Sequence, residues 1–143
     1  MINNPSFAWR IWLASWAPLA VISLHAGLAA TVGHRDEYDP LFHFLGGVAG
    51  AYCLLRALSL FRVHLGPLNR PHPIVIVLVA MFAVAGAWEL VEFASDRFLR
   101  TQVQFGLDDT AMDVVLGLVG ACCTSAVATF FGWRRALSKT DAA

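Results

Sequence analysis

Four long apolar stretches separated by short polar ones set the pattern of this chain: Phe7–Val32, Leu41–Phe61, Ile74–Ser95 and Thr110–Gly132. Each is long enough to cross a hydrocarbon core about 30 Å thick, which takes ~20 helical residues. No sheet pattern of alternating apolar and polar residues competes with them. The connections "GHRDEYDP" and "RVHLGPLNRPHP" and the polar stretch from Asp96 to Asp109 are short, so consecutive helices are expected to be antiparallel neighbours. The pattern predicts an all-α fold, a polytopic four-helix transmembrane bundle, with residues 1–143 as a single domain. The uncharged run Ile11–Val32 exceeds the apolar core of a secretory signal, so the first segment is read as a retained span.

Composition agrees with this pattern. Of 143 residues, 58% are hydrophobic and 14% charged, and the mean hydropathy is +0.63, beyond what a soluble domain usually carries. Ten basic and ten acidic residues cancel, so no global charge points to nucleic acid, and any electrostatic message lies in where the charges sit. With the N-terminus cytoplasmic, that side carries Arg10, Arg56, Arg62, Arg70, Arg134, Arg135 and Lys139, and the other carries Arg35, Arg97 and Arg100. The positive-inside rule therefore places both termini in the cytoplasm. Cys53, Cys122 and Cys123 lie in apolar runs without metal-ligand spacing and are read as small packing residues.

The acids break the apolar pattern at one end. In "AWELVEFASDRF" the spacing of Glu89, Glu92 and Asp96 puts all three within a stripe of roughly 60° on one helix face. The second span opens "YDPLFHFLGG", with Asp39 and His43 four residues apart, and the fourth opens "DDTAMD", with Asp109 and Asp113 spaced in the same way. In an antiparallel bundle these groups fall at the same, outer depth. A carboxylate placed in hydrocarbon costs roughly 2.5–3.5 kcal/mol at a helix centre and less near the interface, so the group needs a proton, a cation or a metal as partner.

Some of these residues have simpler uses. Asp39 before Pro40 reads as a helix N-cap with proline in the first turn, Asp109 also suits a cap, Asp108 reads as solvated, and Glu92 and Asp96 suit an interface facing water. Glu89, His43 and Asp113 lie a turn or more inside their helices, where capping does not account for them. The candidate metal set is His43, Glu89, Glu92, Asp109 and Asp113. Carboxylates with one imidazole favour Mn, Fe or Mg, with Zn as the softer choice. His25 is read as a hydrogen-bonded core residue, His34 as an outer-loop residue, and His64 and His72 as cytoplasmic. Gly46 and Gly50, together with Gly117, Gly120 and Ala121, offer the small faces on which helices approach closely in a membrane.

The blocks "DPLFHFLGG", "WELVEF" and "DDTAMDVVLGLVGA" resemble, in order and spacing, those of the YjdF-like bacterial inner-membrane proteins and, more loosely, those of the VanZ-like membrane proteins. The resemblance runs from about Asp39 to Ala121. It implies a four-helix protein of the bacterial inner membrane. In it His43 matches a histidine opening the second helix, Glu89 and Glu92 a Glu-x-x-Glu, and Asp109 and Asp113 an Asp-Thr-x-x-Asp. The VanZ-like proteins are associated with glycopeptide resistance, which points to envelope chemistry. The chain has "DVVLG" where the VanZ-like pattern places an asparagine after the aspartate.

Three functions follow from these readings. The first is a metal-dependent membrane enzyme acting on a lipid or envelope substrate at the outer interface. The second is a non-catalytic accessory or assembly subunit that binds a membrane-protein partner or a second copy of itself. The third is a proton- or cation-coupled transport subunit. The orientation is open to test by cysteine labelling in whole cells: a membrane-impermeant maleimide is expected to react with Gln102→Cys and not with Ser138→Cys, and the reverse result would invert the topology.

Overall fold

The computed structural model describes residues 7–33, 37–65 and 72–130. It contains four helices, α1 (Phe7–Val32), α2 (Asp39–Leu65), α3 (His72–Leu99) and α4 (Leu107–Phe130). All four are long and apolar enough to cross a membrane, as the hydrophobic pattern predicts. The helices of the second and third spans run beyond the apolar stretches, because a helix need not stop where hydrocarbon does. Pro73 is accommodated in the first turn of α3, where its missing N–H would have no intrahelical partner. Expectations for His34, Arg35, Arg70 and residues 131–143, and for the side chains of Arg62, His64 and His72, lie outside the described residues.

The fourth helix starts at Leu107, three residues before the predicted Thr110. Gly106, at φ +121°, turns the chain into the helix, and its carbonyl accepts the N–H of Thr110 at 3.1 Å. At the other end of this connection α3 stops at Arg100, which takes up the left-handed conformation common just past a helix terminus (φ 58°).

Helix α2 is the centre of the bundle. It packs against α1, α3 and α4, most extensively against α4, and α3 also packs against α4. In a bilayer lipid tails are as apolar as leucine, so close approach of backbones replaces the hydrophobic effect as the driving force. That approach occurs where Gly47 meets the backbone of Gly117 and where Gly120 meets the carbonyl of Phe44 and the N–H of Val48; a Cβ at Gly47 or Gly120 would collide with backbone atoms. The predicted small face is thus displaced by one residue on α2, a rotation of about 100°: Gly47 makes the contact, Gly50 rests on the Met81 side chain, and Gly46 faces open space. The hydroxyl of Thr124 donates to the Val48 carbonyl at 3.2 Å on the same seam.

Ala51 and Leu55 of α2, Val77 and Met81 of α3 and Ala121 of α4 form the buried apolar core. Helix α1 leans on one flank of α2, where the Tyr52 hydroxyl donates to the Leu13 carbonyl at 3.4 Å and the Trp16 and Tyr52 rings meet edge on. Cys53 is half-buried, but Cys122 and Cys123 are exposed rather than packed. The inward edge of α4 is taken by Gly117, Gly120, Ala121 and Ser125, and the two residues after Ala121 are carried out of it by the helical rotation. Gly120→Leu is expected to abolish or strongly lower the thermal stability of detergent-purified protein, whereas Gly86→Ala, where a Cβ meets nothing within 4 Å, should leave the melting temperature nearly unchanged.

Candidate metal centre

The antiparallel order brings the first turns of α2 and α4 beside the last turns of α3, and the acids meet there. Asp39 is 2% exposed, Asp113 1%, Glu89 4% and Glu92 6%, within the range of the apolar core. His43 stands among them. Its Nε2 lies 3.6 Å from Asp39 Oδ2 and 3.7 Å from Asp113 Oδ2, and its Nδ1 lies 3.7 Å from Glu89 Oε1.

These separations exceed an N–H···O hydrogen bond, whose usual limit is about 3.2 Å. They are close to the spacing of two ligand atoms on one ion, since donors ~2.1 Å from a shared metal at tetrahedral to trigonal angles stand roughly 3.4–3.6 Å apart. Asp39, His43 and Asp113 form one such group, and His43, Glu89 and Glu92 a second, each with donor atoms within 4.8 Å of one another. His43 Nε2, both Glu89 carboxylate oxygens and Asp113 Oδ2 are shielded from solvent and make no hydrogen bond among the described residues. Buried polar atoms are normally hydrogen-bonded. Between them, Glu89 and Asp113 meet one imidazole, that of His43, so even a protonated His43 carries one positive charge beside these two carboxylates.

The remaining polar residues do structural work. Glu92 Oε1 accepts the indole N–H of Trp88 at 2.8 Å, so this carboxylate is already partly satisfied. Asp109 belongs to neither group of donors; its Oδ2 accepts the N–H of Phe105 at 3.1 Å and holds the turn into α4. Asp96 organises the α3–α4 connection, accepting the Thr101 hydroxyl at 2.6 Å and the N–H groups of Val103 and Gln104 at 3.0 and 3.1 Å.

Two residues at the cluster were given other uses by the sequence reading. The capping position of α2 falls on Tyr38, whose carbonyl accepts the N–H of Phe42 at 3.2 Å, so Asp39 sits inside the first turn with its carboxylate in the cluster. From α1, His25 brings Nε2 to 3.8 Å from Asp39 Oδ1, its ring stacked on Phe42 at 4.7 Å. The i, i+4 spacing of Asp39 and His43 was the available signal, because it puts both on one helix face.

The chain belongs to the predicted membrane protein family DUF2238. The family model matches residues 6–134, which takes in all four helices and every residue of the cluster. No curated protein and no solved structure matches the chain. Family membership supports the membrane setting of the helices and leaves the chemistry to be argued from the cluster itself. Because Asp96 holds the connection and stands apart from both groups of donors, Asp96→Ala should speed proteolysis between residues 100 and 106 while the helical content measured by circular dichroism stays the same.

Proposed function

We propose that the cluster binds a divalent metal ion through Asp39, His43 Nε2 and Asp113, at the outer end of a bundle in the bacterial inner membrane with both termini cytoplasmic. The loaded site acts on the polar part of a lipid or envelope substrate. The observation that carries this reading is the arrangement around one imidazole: oxygens of two buried aspartates from different helices stand 3.6 and 3.7 Å from Nε2, at ligand spacing and beyond hydrogen-bonding range.

A neutral imidazole offers a lone pair on one nitrogen and a proton on the other. With Nε2 toward the ion, Nδ1 is on the side of Glu89, whose Oε1 lies 3.7 Å away; a closer approach on metal binding would put a carboxylate behind the histidine, which fixes its tautomer and strengthens it as a ligand. The opposite assignment, with Nδ1 on the ion beside Glu89 and Glu92, has one Glu92 oxygen, Oε1, already accepting the Trp88 N–H, whereas, among the described residues, neither Asp39 nor Asp113 is tied to an indole in this way. Relative to the set read from sequence, Asp39 joins the ligands, Glu89 and Glu92 stand one step out, and Asp109 serves the turn.

Two carboxylates and one imidazole are the hard, oxygen-rich donors that suit Mn, Fe(II) or Mg, while the 3.6 and 3.7 Å spacings match the wider angles of a four-coordinate ion such as Zn. Three protein ligands leave coordination positions for water or for a phosphoryl oxygen, so the ion would polarise the substrate or activate a water. The resemblance to the VanZ-like proteins favours an envelope substrate. Transport has less support, because the buried acids gather at one end of the bundle and, among the described residues, the fully buried polar groups beyond them reduce to Ser125.

Metal analysis of protein purified in detergent tests the proposal. Near-stoichiometric Mn, Fe or Zn is expected in the wild type and in Asp108→Asn, and its loss is expected in His43→Gln and Asp113→Asn. Glu89→Gln should keep the site but weaken it about 10–100-fold, the usual effect of removing a partner behind a ligand. Uptake should rise with pH, because binding displaces protons from the ligands. Folded wild-type protein that takes up none of these ions would overturn the reading.

A further inference from the structure

A crevice of about 160 Å³ lies against the cluster on its membrane side, between α1 and α3 and over the glycine face of α2. His25, His43 and Trp88 stand at the end next to the acids, and Pro18, Gly50 and Met81 at the other. On each of the three helices these limits are seven residues apart, about 10 Å along the axis. The crevice therefore extends inward by about a third of a hydrocarbon core. Apart from the two imidazoles and the indole, every lining side chain is apolar. Its rim is open sideways, with Ile22 of α1 50% exposed and Val84 of α3 54% exposed, and both residues lie within candidate membrane spans. Gly46 forms part of its floor, and a Cβ built there meets nothing within 4 Å.

We infer that this crevice holds one hydrocarbon chain of a phosphate-bearing membrane lipid, with the lipid's head lying against the cluster. Water does not suit the space, since a buried water needs two to four polar partners and the apolar walls provide none beyond the cluster end. A partner helix, about 10 Å across, could cover the open rim only from outside, and that occupant is one outcome of the test. A flexible chain fits a narrow slot that opens into the bilayer, and a slot running directly from the imidazole of His43 sets the distance between chain and head. The assignment of the head to a phosphate rests on the metal reading above, because a hard divalent cation prefers anionic oxygen. The assignment of the chain does not, because it stands on the shape, lining and position of the crevice.

The test uses the full protein in vesicles of phosphatidylethanolamine and phosphatidylglycerol containing phosphatidylglycerol with a diazirine on one acyl chain, with crosslinks mapped by mass spectrometry. Labelling is expected to concentrate on Met81 and Ala85 within the crevice, above Val79 and Phe82, which are exposed elsewhere on the same helix. Gly46→Leu should reduce the crevice labelling several-fold while metal content stays at the wild-type level. Should Gly46→Leu fail to fold, Val84→Trp at the rim makes the same test from the open side. His43→Gln separates the two readings: crevice labelling that persists after metal is lost upholds the chain site whatever the head binds. Labelling spread evenly over all exposed positions and indifferent to Gly46→Leu and Val84→Trp would overturn the inference, as would high-yield disulfide formation between two copies of Val84→Cys in the same vesicles.

Discussion

The backbone contact between α2 and α4 is the constraint on which the cluster depends. His43 and Gly47 stand one turn apart on α2, and Asp113 and Gly117 one turn apart on α4. Where Gly47 meets Gly117, the same helical register carries Asp113 against His43. A Cβ at Gly47 or Gly120 would collide with a backbone oxygen of the facing helix, so a side chain there would push the helices apart and carry the donor atoms away from their present spacing. The glycines thus serve packing and chemistry through one geometric fact.

Burial raises the stakes of that contact. A carboxylate near the headgroups could turn toward water, but Asp39, Glu89 and Asp113 are enclosed by helices on several sides and must find their compensation inside the bundle. Asp96 and Asp109 show the other solution, each satisfied by backbone N–H groups of the α3–α4 connection. The acids near this end therefore divide by what faces them. Those facing peptide groups hold the loop, and those facing one another around His43 make the candidate centre.

Helix α1 has a looser part in this arrangement. It leans on α2 alone among its extensive contacts, yet it supplies His25 to the edge of the cluster and one wall of the crevice. A helix held on one flank can border an opening toward lipid that a fully packed four-helix core would close.

The sequence by itself determined the number of helices, their approximate limits and the end of the bundle at which the acids gather, because length, hydropathy and charge position are properties of a linear pattern. It also singled out His43, Glu89 and Asp113 as residues too deep for capping. It put Asp109 among the metal candidates and Asp39 at a cap, although both are aspartates at the mouth of a helix, spaced four residues from a second polar group, and nothing in that spacing tells one from the other. Only the tertiary structure decided that Asp39 turns inward while Asp109 closes a turn, that Gly47 rather than Gly46 makes the close contact, and that Gly46 is left over an open crevice. Each of these depends on the rotation of a helix about its axis. In an apolar span the hydrophobic pattern is nearly uniform around the circumference, so that rotation is set by which residues on neighbouring helices meet.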